Sequence, residues 1–284
     1  MKFVFVTLFP EMIRSACEWS ILGRAAREGL LSVECVDPRD YATDRHRSVD
    51  DTTCGGGAGM VLKPQTFLAA LDRARELAPG ALVAAMTPVG ESLGQERVCD
   101  LAGSGRDLIL LCGHYEGFDE RILEEADLRL SIGDFVLTGG ELPALCVMDA
   151  VARFIPGVLG KQVSAEEDSF HHSLLEYPQY TRPVAYRGKS VPELLLSGDH
   201  AKIGQWRRKE SLRATCRYRP ELLRSMQWQK GDGKLFLAMK EEEKRSPRGT
   251  GKTEETQVFR LHWEPAVWYN TAYALTGGPL LARG

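Results

Sequence analysis

Apolar residues along this chain fall into short unbroken runs that alternate with stretches repeating at helical spacing. Lys2 to Leu8 is rich in Phe and Val and reads as a buried strand. Pro10 suits the first turn of a helix, where its missing N–H costs nothing. Met12, Ile13, Cys17, Ile21 and Leu22 then recur at helical spacing, so one helix is predicted up to Gly29. Leu31 to Val36 predicts a second strand, broken by Asp37-Pro38-Arg39-Asp40. A polar loop from Tyr41 to Met60 follows, long enough to suggest a functional role. The pattern then resumes with a helix at Pro64 to Leu77, a strand at Ala81 to Met86 and a turn at Thr87-Pro88-Val89-Gly90. A helix near Gln95 to Leu101, a strand at Asp107 to Cys112 and a helix at Glu141 to Phe154 complete it. Such alternation implies an α/β fold with a mostly parallel sheet and flanking helices. In such sheets ligands lie beyond the carboxyl ends of the strands.

Ile155-Pro156-Gly157 punctuates the chain, and residues 1–159 form the predicted first domain. Periodicity fades from Gly160 to Tyr180, which reads as an interdomain linker that orders on binding. Residues 181–226 predict a smaller, all-helical domain, with Asp199 as an N-cap and Pro220 starting a further helix. Residues 227–284 carry no assigned role: GDGK and EEEKRSPRGTGKTEETQ look solvated, and the last stretch, VFRLHWEPAVWYNTAYAL, is aromatic and suited to docking. Gly251-Lys252-Thr253 ends like a phosphate loop, but Ser246 stands where its first glycine belongs.

Composition narrows the class. The 284 residues are 43% hydrophobic and 26% charged, as in a globular protein, and the net charge of -3 argues against a strongly basic coat for nucleic acid. Seven scattered cysteines without CxxC spacing predict a reducing, cytoplasmic setting. The apolar start MKFVFVTLFP is too short to span a membrane and reads as the first core strand, so no membrane partner is expected.

Two stretches carry candidate chemistry. Gly113, Gly117, Gly133, Gly139 and Gly140 crowd one window just after the apolar run Leu108 to Cys112, beside Tyr115, Glu116, Asp119, Asp134 and Glu141. Glycines beyond strand ends let main chain approach a ligand, which suits a flat aromatic group held by amides and carbonyls. The second stretch, Ala201 to Pro220, has seven basic residues, Arg207 and Arg208 among them, one acid, and interleaved Trp206 and Tyr218. Basic and aromatic residues together fit binding of phosphate and stacking of bases; an ordinary solvated helix face fits the same pattern.

Eight strings share one resemblance: LFPEM (from Leu8), DRHRSVDD (Asp44), GGGAGM (Gly55), LCGHYEGFDERI (Leu111), SIGDFVLTGGELPA (Ser131), RFIPGVLG (Arg153), EDSF (Glu167) and YPQYTRP (Tyr177). In this order they closely resemble the bacterial tRNA (guanine-N1)-methyltransferases of the knotted SPOUT superfamily, over Met1 to about Met226. The resemblance implies a trefoil-knotted α/β domain and a homodimer with its active site between protomers. It further implies methyl transfer from S-adenosylmethionine to guanosine 37 of tRNA, beside the anticodon. By the same resemblance Asp168 is the general base and Arg153 its partner. The donor would lie against Pro88, Gly90, Gly113, Tyr115, Glu116, Ile132, Gly133, Phe135, Leu137, Gly139 and Gly140. Arg45, His46 and Asp50 would face the anticodon loop. The family also uses Mg²⁺, for which the sequence shows no carboxylate cage. Read without the resemblance, Asp168 is one acid in a run with Glu166 and Glu167.

The chain departs from the family pattern at Cys54, where Tyr is usual, at Ala58, where Pro is common, at His171-His172-Ser173, and beyond Met226. Two rival classes fit the sequence less well. A nicotinamide oxidoreductase would need GxGxxG after a strand, and the run Gly55 to Gly59 is not that. A non-catalytic RNA-binding protein on the same fold would have no use for Arg153, Asp168 and the glycine turns together.

Overall fold

A computed structural model describes residues 1–160, 168–170 and 173–245. The chain divides into two compact units between Glu166 and Glu167.

The first unit is built on five parallel strands in the order β2-β1-β6-β5-β7. In chain order its elements are β1 (Lys2–Val6), helices α1 (Pro10–Ala16) and α2 (Ser20–Arg27), and β2 (Ser32–Val36). A hairpin follows, β3 (Asp50–Thr52) with β4 (Met60–Leu62), then α3 (Pro64–Leu77) and β5 (Leu82–Ser92). The rest are α4 (Gln95–Gly103), β6 (Leu108–Cys112), α5 (Glu120–Leu123), β7 (Leu128–Ser131) and α6 (Glu141–Ala152).

Strand side chains alternate between faces, and two apolar cores result. Phe3, Phe5, Leu108 and Leu110 pack with Ile13, Leu101, Val147, Met148 and Val151 on one face. Val4, Val6, Ile109 and Leu111 pack with Phe67, Ala70, Leu71 and Ile122 on the other. Central β6 is buried at all five positions, because helices cover both of its sides.

Three expectations for this unit are corrected. The single helix predicted to Gly29 is two, α1 and α2, parted at Cys17–Trp19, with Ser20 opening α2 at φ +55. The turn predicted at Thr87 to Gly90 lies inside β5, as an irregularity between Met86 and Glu91, both of which pair with Leu130. Polar residues hide β7, an edge strand, and the β3–β4 hairpin inside the predicted loop.

The second unit contains α7 (Glu193–Leu196), α8 (His200–Tyr218) and α9 (Asp232–Arg245). It is not all-helical: a two-stranded hairpin, β8 (Ala185–Tyr186) and β9 (Lys189–Ser190), precedes α7. Nor is 227–245 a solvated tail. Phe236 and Met239 of α9 are buried with Leu174, Leu212, Cys216 and Met226, and Trp228 packs on the same cluster. Within the predicted linker, Leu174 belongs to this core and the amide of Leu175 donates to Thr215 at 2.9 Å. Residues 161–167, 171–172 and 246–284, with the departure at His171-His172 and the decoy at Gly251, lie outside the described residues.

Candidate active site

The glycines meet at the carboxyl ends of β5, β6 and β7. The amide of Gly140 donates to the carbonyl of Gly113 at 2.8 Å, and His114 bridges to Gly139. Because β5 lies between β6 and β7 in the sheet, the chain must cross the end of β5 to go from Ser131 to Gly140. A side chain at Gly140 would put its Cβ 2.6 Å from the nitrogen of Gly113, so that crossing requires glycine. At Gly90 a Cβ would stand 2.5 Å from the backbone of Arg129 and Leu130, so the irregular part of β5 can lie against β7 only as glycine. The result is a wall of main chain.

Above this wall the side chains are exposed and mostly apolar. Pro88 is exposed, as are Tyr115, Phe135 and Leu137. Tyr115 sits at φ +60, costly for a residue with a side chain, in a turn closed by the Gly117 amide on the His114 carbonyl at 2.9 Å. Ile132 and Gly133 are half-buried, and the Ser131 hydroxyl bonds the Gly133 carbonyl at 3.0 Å. The amide of Glu116 donates to Met60 at 2.9 Å, which ties this turn to β4.

Below the wall lies a buried polar network that sequence reasoning missed. Glu141 is 2% exposed, and its carboxylate accepts from the Thr7 hydroxyl at 2.7 Å. Its other oxygen meets His114 Nε2, also at 2.7 Å. Thr7 in turn accepts from the amide of Phe9 at 2.9 Å, and the Phe9 and His114 rings stand 4.9 Å apart. One carboxylate therefore joins the ends of β1 and β6 to the start of α6. Beneath it, burial, followed by the Glu141 charge, pushes the Cys112 thiol well above its ordinary range, so it is inert packing. Only an acid at the first position of α6, opposite a strand-end Thr, hinted at this in the sequence.

The remaining predicted residues are spread out. Arg45 and His46 are exposed on a loop held by Asp44, whose carboxylate takes the Ser48 hydroxyl at 2.8 Å and the His46 amide at 3.1 Å. The Ser48 bond holds the Asp44 carboxyl below its usual range. Asp50 opens β3, paired with Leu62. Arg153 caps α6 from an exposed position in the first unit, and half-buried Asp168 belongs to the second unit. Arg207 is exposed, with its guanidinium 4.9 Å over the Tyr177 ring. Arg208 instead sets its guanidinium fork on Asp232 at 2.8 and 3.0 Å, so the fork holds α8 to α9. Among the described residues no three His, Cys, Asp or Glu side chains converge to hold a metal, and no helix is long and apolar enough to cross a membrane.

A parallel sheet whose carboxyl edge carries close-packed glycine main chain is the architecture of an α/β protein that places its ligand site beyond the strand ends. The profile of the family described as tRNA (Guanine-1)-methyltransferase TrmD matches residues 1–225. A tRNA (guanine-N(1)-)-methyltransferase of Anaeromyxobacter sp. (strain Fw109-5) is 52% identical over 235 residues, 82% of this chain and 94% of that protein. Its counterpart from Proteus mirabilis (strain HI4320) is 52% identical over 223 residues, 78% and 89% of the two chains. The counterpart from Desulforudis audaxviator (strain MP104C) is 49% identical over 235 residues, 82% and 94%. The chain belongs to the tRNA (guanine-N1)-methyltransferase family.

Proposed function

We propose that this protein transfers a methyl group from S-adenosylmethionine to N1 of guanosine 37 in tRNA. The observation that carries the reading is the main-chain wall at Gly90, Gly113 and Gly140 in a chain of this family. The donor, when bound, supplies an electrophilic methyl on a sulfonium. The main chain at Gly113, Gly133, Gly139 and Gly140 would hold its adenine, with Pro88, Tyr115, Glu116, Ile132, Phe135 and Leu137 beside it. Guanine N1 carries a proton and is a poor nucleophile, so a base must remove it. Asp168 takes that proton, which frees N1 to accept the methyl group that the donor would supply. Arg153 stabilises negative charge growing on the neighbouring carbonyl oxygen.

The family resemblance implies a homodimer with its active site between protomers. Exposed apolar side chains on the first unit support such an interface: Phe9, Trp19 at 70%, Val136 at 81% and Leu142. The crossing of chain over β5 supports the implied knot. Arg45, His46 and Asp50 face the anticodon loop. Such an enzyme works in the cytoplasm, where tRNA is.

The test is incubation of unmodified tRNA with radiolabelled S-adenosylmethionine, followed by nucleoside analysis. Labelled 1-methylguanosine, lost when guanosine 37 is replaced, is the expected result. Tight tRNA binding without label would favour the non-catalytic alternative.

A further inference from the structure

The cations of the second unit sort into two sets. On α8, Lys202 pairs with Asp199, Arg208 with Asp232, Lys209 with Glu242, and Arg213 with Glu210 and Glu242. Just beyond it Arg219 pairs with Glu221. The acids of α9 thus neutralise much of the helix that the sequence marks as basic. Arg182, Arg187, Lys189 and Arg207 form no ion pair with any described residue.

These four lie on one connected surface. A cleft of about 570 Å³ runs between the segment Tyr177–Arg182 and α8, lined by Tyr180, Arg182, His200, Trp206 and Arg207 with no acid among its residues. Val184 and Val191 also line it, and they are joined by the Val191 amide on the Val184 carbonyl at 2.8 Å. They form the base of the β8–β9 hairpin, which therefore rises from the cleft wall. Its two-residue turn, Arg187-Gly188, has φ +50 and +75, the left-handed pair that matches strand twist. The turn carries Arg187 over the Tyr186 ring at 5.3 Å, with Lys189 next to it, and every residue from 185 to 190 is exposed. A short hairpin with one stacked and one neighbouring cation, beside an acid-free aromatic cleft, is complementary to phosphate and to an unpaired base.

We propose that the second unit holds tRNA with this hairpin and cleft, and not with the salt-bridged face of α8. The hairpin tip meets the phosphate backbone, and an unpaired base enters the cleft against Tyr180 and Trp206. The assignment rests on the proposed function and names the part of the surface that takes the RNA.

The test uses the full chain and fluorescently labelled unmodified tRNA, with affinity read by anisotropy across a salt series. Arg187→Glu with Lys189→Glu is expected to weaken binding at least tenfold at low salt. The slope of log affinity against log salt should become shallower by about two, one for each phosphate that the variant no longer neutralises. Tyr180→Ala is expected to cost about tenfold with little change of slope. Circular dichroism and thermal melting of the full chain stay at wild-type values and show that the variants fold. Wild-type affinity and slope in the hairpin variant would overturn the proposal while leaving the enzyme's activity standing. Failure of the unaltered protein to bind or methylate any tRNA would overturn both together.

Discussion

Glu141 and His114 share a hydrogen bond of 2.7 Å beneath the glycine wall, with only 3% and 17% of their side chains exposed. Replacing Glu141 with Leu strips Thr7 and His114 of their common partner and leaves both polar groups facing apolar neighbours. A loss of about 2–4 kcal/mol in urea unfolding is expected, with weakened donor binding. Glu141→Gln, which can still bond Thr7, should lose less. Equal stability of the Leu variant and wild type would show that the network carries no weight.

Gly140→Val places carbon 2.6 Å from the Gly113 nitrogen and 2.8 Å from Cys112 Cα, both backbone atoms that cannot swing aside. Donor affinity by calorimetry should fall at least a hundredfold. An unchanged affinity refutes the placement of the pocket.

Asp168→Ala is expected to retain S-adenosylmethionine binding and to lose methyl transfer by two or more orders of magnitude, the usual contribution of a positioned base. Single-turnover assays with saturating tRNA separate the two effects. Near-normal turnover removes Asp168 from the role of base.

Arg208→Ala leaves Asp232, 2% exposed, without its cation. The second unit should lose about 3 kcal/mol of stability. Any fall in tRNA affinity should follow the unfolded fraction and be independent of salt. A folded variant with a salt-dependent defect would place Arg208 on the RNA.

Bonds from Lys209 and then Arg213 hold the Glu242 carboxyl below its ordinary value of 4.5. A depressed acid stabilises the fold above its unfolded-state value and withdraws that support as pH falls through the folded one. Docking of α9 should therefore weaken as pH drops below about 4.5. The effect is at most about 1 kcal/mol, because Glu242 is half exposed. Melting curves of wild type and Glu242→Gln should converge in acid and separate at neutral pH; parallel curves across the range would show that the pair contributes nothing.

Residues whose fate is settled by near neighbours were legible in the sequence. Pro64–Leu77 is a helix with the predicted ends, and β6 is buried where an unbroken apolar run required it. Asp199 caps α8 by accepting from the Lys202 amide, as a short acid before a helix should. Less visible were elements stabilised from far away. Edge strand β7, with its Leu-Arg-Leu-Ser, is held by pairing to β5. The acid-rich stretch of α9 conceals Phe236 and Met239, one helical turn apart and buried under α8. The glycine cluster announced close main-chain packing beyond the strand ends, but Thr7 and Glu141 are 134 residues apart and left no local trace of their bond. Arg207 and Arg208 are neighbours in an even basic pattern; only the return of Asp232 separates a stacked surface cation from a buried strut.

The polar knot of side chains under the wall also sets an order of events during synthesis. Its three contributors come from the first strand, from the middle of the chain and from the residue right after the last wall glycine. A ribosome that has released only the first 130 residues has delivered most of the sheet, yet none of the closing bonds can exist. The bonds that tie β1 and β6 to α6 therefore form only once Glu141 has emerged, and a chain cut anywhere upstream cannot make them.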